Sequence, residues 1–316
     1  MAVRQYVWLA RSRSIRRLLL ACGVCYAGDL AAFTAASVYA YHAGGTGLVA
    51  VLGLLKALPG SLLVPLLTSW ADRMRRQRLL IASVVPRALL LAAAAAAMTG
   101  SGQGVLVVVL VGLQSGLGSV FRPVQGALLP WLARTPEELT SANTAAGVLQ
   151  SAAMVGGPAV AAGLLAVSTA QSAMLAACGL VAVGAALLTG VRPLSPEVTV
   201  HAAGRLKQLK VDLAEGFEAG VRRRGAVALA VPAAAQTFAR GVLNVLTVVI
   251  ALDLFSLGSA AVGWLGAVLG IGGMLGGPLA IVLVRGRRVA RSFAAGVAVW
   301  GVPLILLAFA HAPYWP

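Results

Sequence analysis

Acidic side chains are scarce in this chain: nine Asp and Glu stand against 25 Lys and Arg in 316 residues, and all four types together make up only 11% of it. A soluble globular domain carries about 25%, so a water-facing surface of ordinary extent is excluded. Cysteine is limited to Cys22, Cys25 and Cys178, an odd number set inside apolar runs, which excludes a disulfide framework. Cys22 and Cys25 have the Cys-x-x-Cys spacing of metal and redox sites, but no second pair or nearby histidine accompanies them, and packing accounts for both thiols. His42, His201 and His311 have no metal-ligand spacing, and no Gly-x-x-x-x-Gly-Lys-Ser/Thr run is present, which argues against enzymes and ATP-driven pumps. No catalytic residue, metal or cofactor is expected. The formal charge of +16 raises nucleic acid binding, which needs a solvated basic face with aromatics for stacking. Here the cations cluster between hydrophobic runs, so nucleic acid is not an expected partner. No selectivity-filter sequence or charged pore motif of a channel stands out.

What the chain has in abundance is apolar length. With 59% hydrophobic residues and a mean hydropathy of +0.90, it reads as an all-α, polytopic membrane helix bundle. About 20 residues at 1.5 Å each span the hydrocarbon layer. Runs between breakers give nine spans, at 18–41, 47–69, 79–99, 104–131, 141–167, 171–190, 226–251, 258–284 and 292–312. Arg4, Arg11, Arg13, Arg16 and Arg17 resemble the basic start of a signal peptide. The apolar run behind them continues to Tyr41, so it reads as an uncleaved first span. The connections alternate: 44–46, 99–104 and 168–170 carry no charge, whereas 70–78, 134–138, 192–224 and 285–291 hold nearly every cation outside the spans. Asp253 is the single charge expected in a connection on the other side. Positive-inside asymmetry then puts the N-terminus in the cytoplasm of a bacterial-type plasma membrane.

The spans divide into a six-helix half at 1–191, a cytoplasmic linker at 192–224 and three further helices at 225–316. Pro193 and Pro196 open the linker, and Leu206, Leu209, Leu213, Phe217 and Val221 recur among Lys207, Lys210, Asp212 and Glu215 at helical spacing. This describes an amphipathic helix lying along the inner membrane surface, with a partner-binding helix as the alternative.

Six spans, a cytoplasmic linker and more spans is a plan that resembles the Major Facilitator Superfamily. That family's loop between helices two and three reads Gly-x-x-x-Asp-Arg-x-Gly-Arg-Arg; this chain has Thr68-x-x-x-Asp72-Arg73-x-Arg75-Arg76, with Thr68 and Arg75 in place of the glycines. Phe121-Arg122-Pro123, Leu129-Pro130, the stretch from Glu138 to Asn143, Gly28-Asp29 and Leu58-Pro59-Gly60 are similar to bacterial drug and siderophore exporters of the superfamily. Span five, with Gly147, Gly156, Gly157, Pro158 and Gly163, resembles the Gly-Pro motif of its antiporters, although Ala153, Ala161 and Ala162 stand where glycines are expected; close helix packing accounts for the small residues equally well. The resemblance implies a gating role for Asp72, Arg73 and Arg76. Their loop would meet the N-terminal end of an eleventh helix that this chain does not contain. Nine spans against the family's usual twelve lead to the expectation of a C-terminally truncated or partial chain, with poor transport if it is complete.

Met154-Val155-Gly156-Gly157-Pro158 in span five reappears as Met274-Leu275-Gly276-Gly277-Pro278 in span eight. Opposite span directions place the two Gly-Gly-Pro points in opposite membrane halves, as an inverted repeat requires. Both are expected at the packing seam between the halves.

Charges inside spans are costly and point to function. Asp29 lies about 16 Å into span one from the cytoplasm and Lys56 about 14 Å into span two from outside, so an Asp29–Lys56 ion pair is expected near the midplane. Two readings of that pair stand side by side: a proton-accepting carboxylate tuned by the lysine, and a permanent structural pair. Arg87, a third of the way into span three, is expected to bond nearby backbone or the loop carboxylate. Gln114, Gly118, Arg122 and Gln125 form one stripe on span four, and Gln236, Arg240 and Asn244 form another on span seven. Polar stripes need partners away from lipid. The resemblance implies that spans one, four and seven line a central cavity.

The function expected is secondary transport by alternating access: efflux of a small amphipathic or drug-like solute, coupled to protons, by a monomer. The alternative from another class is a membrane sensor or scaffold that keeps the transporter fold.

Overall fold

The computed structural model describes residues 12–71, 76–100, 102–119, 121–133, 135–191, 239, 241–255 and 257–284. The linker at 192–224, span 292–312 and the first part of span 226–251 lie outside the described residues.

Helical structure begins with Arg13–Ala71, a run of 59 residues that is interrupted at Gly44 and Gly45. Gly45 has φ of 65°, a left-handed conformation that glycine adopts without a Cβ penalty. The run is therefore two helices, α1 (13–43) and α2 (46–71), reversing where the uncharged Gly-Gly-Thr connection was expected. There follow α3 (Arg76–Ala97), α4 (Gly104–Ser119), α5 (Phe121–Leu132), α6 (Pro136–Val167) and α7 (Ala170–Thr189). Together α4 and α5 occupy the fourth expected span. In the second part of the chain, α8 (241–254) closes in a π-helical turn at Ile250–Leu254, and α9 covers Ser259–Val284. Asp253 is not in a connection as expected; it is exposed on that last turn of α8. Among the described residues there is no strand.

Local chemistry sets several ends. Thr135 caps α6, its hydroxyl accepting from the Glu138 amide at 3.2 Å, with Pro136 in the first turn, where a missing N–H costs nothing. Thr169 caps α7 in the same way through the Ser172 amide.

Inside the bundle the α1–α2 hairpin is the hub, packing against α4, α6 and α7. Ala31, Ala32, Ala35 and Ala36 are fully buried along it, small enough to admit neighbours on several sides. Outward, Leu54, Leu89, Leu113, Leu175 and Val183 are more than half exposed, the pattern of helices that face lipid rather than water.

The two glycines of the α6 Gly-Gly-Pro motif have different surroundings. A Cβ on Gly157 would collide with the Ala27 carbonyl oxygen on α1, whereas one on Gly156 would meet nothing within 4 Å. Gly157→Ala should therefore lower stability by about 1–3 kcal/mol through overpacking. Gly156→Ala should leave it unchanged or raise it slightly through helix propensity. Thermal unfolding of both variants in detergent would separate them, and equal midpoints would contradict the close approach of α1 and α6.

Pro158 has a different consequence. Within α6 it offers no N–H to the Met154 carbonyl, and that carbonyl is where α9 docks. A Cβ on Gly270 would lie 2.5 Å from the Met154 oxygen, and one on Gly263 would lie 2.6 Å from both the Pro158 oxygen and the Ala162 Cβ. Only bare Cα atoms fit there, so α6 and α9 run antiparallel in direct backbone contact. The glycines at this seam include Gly263, Gly266 and Gly270; Gly276, Gly277 and Pro278 fall in helical backbone, with surroundings outside the described residues. Toward the other end of α6, Asn143, Gly147 and Gln150 line a cavity. One helix thus carries the docking seam in one half and a cavity wall in the other.

Candidate functional site

Asp29 sits on α1 one turn past Tyr26. Its Oδ1 accepts from Arg87 Nη2 on α3 and from Gln114 Nε2 on α4, the latter at 2.6 Å. Three helices are pinned by one carboxylate oxygen. Arg87 has no exposed surface, while the Asp29 side chain keeps 28%. The cation that meets Asp29 is therefore Arg87, where the sequence pointed to Lys56. Lys56 instead has its ammonium 3.6 Å from the centroid of Phe33, one turn farther along α1.

Burial of this arginine is compensated in several ways. Besides Asp29, the guanidinium carbon is 5.4 Å from the centroid of the Phe121 ring, a distance at which a ring quadrupole attracts a cation. Gly118 leaves room for the guanidinium: a Cβ there would come within 3.5 Å of Arg87 Nε. Nε and Nη1 are buried and meet no hydrogen-bond partner among the described residues, so the carboxylate is the principal anchor of the charge. The thiols of Cys25 and Cys22 are within electrostatic reach of it. Cys25 is buried against α7, with its sulfur 4.0 Å from the Val181 carbonyl, and all three cysteines are free. No cluster of three or more His, Cys, Asp or Glu suited to a metal occurs among the described residues.

Next to the charge cluster lies a cavity of about 300 Å³ between α1, α5 and α6. Cys22 and Tyr26 come from α1, Phe121 and Gln125 from α5, and Asn143 and Gln150 from α6. Each pair sits at a helical step of four or seven, so each helix presents one face. The wall is apolar with neutral hydrogen-bonding groups. Such a surface suits an amphipathic solute better than a strongly charged one.

The expected stripe on span four is thus divided: Gln114 serves the ion pair and Gln125 the cavity. Asn244 is half-buried on α8. The side chains of Arg122 and Arg76, and residues Asp72, Arg73, Gln236 and Arg240, lie outside the described set. Sequence reasoning missed Arg87 as the partner of Asp29 and overlooked Tyr26, Phe121 and Gln150 as cavity residues. A signal was present for Tyr26 and Gln150. Cys22, Tyr26 and Asp29 share a stripe on α1, as do Asn143, Gly147 and Gln150 on α6.

The family described as the Major Facilitator Superfamily matches residues 18–316. The chain belongs to the Major Facilitator Superfamily. Its fold is similar to that of the D-xylose-proton symporter seen in a crystal structure, with a TM-score of 0.59 at 14% identity, over 86% of this chain and 69% of that one. No curated protein matches the chain by sequence. As a member of this superfamily the chain is a multi-pass membrane protein and a secondary transporter rather than an enzyme.

Proposed function

We propose that this superfamily member exports a small amphipathic or drug-like solute by alternating access and couples export to protons at Asp29. The observation that carries the reading is the Asp29, Arg87 and Gln114 cluster beside a neutral cavity. A proton on Asp29 would cancel the charge that anchors a fully buried arginine, so proton binding must redistribute contacts among α1, α3 and α4. The cavity between α1, α5 and α6 is the proposed solute site; its lining residues Leu19, Leu129 and Asn143 lie toward the helix ends on the side of the exposed Arg13 and Arg16, which positive-inside asymmetry assigns to the cytoplasm. Under this reading 1–191 is one rocking half and 225–316 belongs to the other, meeting along α6 and α9.

The test is ethidium movement in proteoliposomes holding the full chain, under an imposed proton gradient. Wild type should move the dye in response to the gradient. Asp29→Asn, which mimics the protonated carboxyl, should lose gradient dependence and fall by about tenfold or more in rate, while eluting as a folded monomer. Unchanged flux in the variant would remove Asp29 as the coupling group. No gradient-driven flux of this or any other amphipathic dye by wild type would favour the non-transporting sensor or scaffold.

A further inference from the structure

Two features of the structure meet at a single aromatic ring. Phe121 is the first residue of α5 and forms part of the cavity wall, together with Gln125 one turn along the same helix. It also lies 5.4 Å from the Arg87 guanidinium, which holds Asp29. The ring is only 6% exposed, so it cannot swing away without opening space either in the cavity wall or around the arginine. Packed interiors resist such vacancies and tend to rearrange in discrete steps.

We infer that Phe121 is a positioning residue that transmits the state of the Asp29 and Arg87 pair to the cavity, so that neutralising Asp29 changes how open the cavity is. The inference rests on the proposal that this cavity is the solute site. With Asp29 ionised, Arg87 is held toward α1 and its face is presented to the ring. When the carboxylate charge is lost, the guanidinium retains its ring contact as the best remaining partner. Displacement of Arg87 then carries Phe121 with it, and the wall between α1, α5 and α6 moves. The groups around Arg87 in this relay are Asp29 as its hydrogen-bonded partner, Gln114 through its own bond to the same carboxylate oxygen, Cys22 and Cys25 as nearby thiols, and the Phe121 ring. In the reverse direction, a solute that pushes on the ring changes how firmly Arg87 holds Asp29.

Cys22 provides a reporter, because it lines the cavity. In the full chain carrying Cys25→Ala and Cys178→Ala, the rate of Cys22 alkylation by N-ethylmaleimide reads cavity access without knowledge of the transported solute. Asp29→Asn should change that rate by about threefold or more, a typical coupling between linked sites. Part of any change is the direct influence of the uncompensated guanidinium charge on the thiol, so the comparison is made as a cycle. Adding Phe121→Leu, which keeps an apolar side chain but removes the ring, should shrink the effect of Asp29→Asn. Phe121→Tyr should restore it. Phe121→Met serves the same purpose if Phe121→Leu does not yield folded protein.

An equal fold-change with and without the ring would overturn the relay, as would no effect of Asp29→Asn in either background. Failure of Cys22 to react in every variant would overturn it too, since the cavity would then not be accessible. These outcomes are independent of dye transport. A protein that shows the alkylation coupling yet moves ethidium unchanged in Asp29→Asn retains the relay and loses only the proton-coupled reading.

Discussion

Asp29→Leu is expected to destabilise the protein more than Arg87→Leu, and the double substitution should recover much of the loss. Removing one member of a buried ion pair typically costs about 3–5 kcal/mol, because the partner is left charged in a poor medium. The two members are not equivalent here. Arg87 is fully buried and a guanidinium has no accessible neutral form, so without Asp29 its charge remains in the bundle with the Phe121 ring as its nearest compensation. Asp29 without Arg87 still receives the Gln114 amide, retains partial exposure and can take up a proton. Arg87→Leu should therefore cost about 1–3 kcal/mol, and the double variant should lie near it or above it in stability. Unfolding midpoints of the three proteins in one detergent, compared as a double-mutant cycle, check the order. If Arg87→Leu proved the most damaging, the burial asymmetry on which this rests would be refuted.

The second large effect is expected at the seam between α6 and α9. Gly270→Leu places a side chain where even a Cβ would come 2.5 Å from the Met154 carbonyl oxygen and 2.6 Å from its carbon. Backbone cannot rotate away as a flexible side chain would, so α9 must separate from α6. The carbonyl that Pro158 leaves without an intrahelical donor then loses the Gly270 Cα that covers it. We expect a loss at or beyond the upper end of the usual 1–3 kcal/mol for overpacking, together with loss of transport. Gly272→Leu is the matched control: it lies two residues away on the same helix, is exposed, and has nothing within 4 Å of the added Cβ. A Gly270→Leu protein as heat-stable as Gly272→Leu would mean that the two helices are not in backbone contact.

The expected spans and the observed helices agree closely wherever residues are described. Span 258–284 corresponds to Ser259–Val284, 171–190 to Ala170–Thr189, and 104–131 to α4 with α5. Hydrocarbon thickness and backbone satisfaction leave little freedom once an apolar run has its length. Reversal at Gly44 and Gly45 was legible for a similar reason, since glycine and lack of charge mark a turn that needs neither water-facing side chains nor a cap. Span five was set to begin at residue 141, whereas α6 starts at Pro136, because Thr135 caps a polar first turn that hydropathy cannot register.

Partner choice was less legible, and Asp29 shows why. Residue counting gives depth along a helix, and on depth Lys56 was level with Asp29. Depth is one coordinate of three. The rotation of α2 places Lys56 over Phe33, whereas the long side chain of Arg87 reaches the carboxylate from α3. Similarly, the Gly-Gly-Pro repeat draws attention to Pro158, but the glycines found against it are Gly263 and Gly266. A helix meets its neighbour through whichever face the crossing presents, and that face follows from the packing of both helices at once.

By itself, then, the sequence determined that this is a polytopic helical membrane protein with a charge deep in its first helix and a proline within its fifth span, because those features follow from the length and polarity of single segments. Only the tertiary structure decided that Asp29 holds Arg87 and Gln114, that Phe121 stands between that cluster and the cavity, and that Gly270 covers the carbonyl freed by Pro158. Each of these joins residues from different helices, and the angle and depth at which helices cross depend on all their side chains packing together.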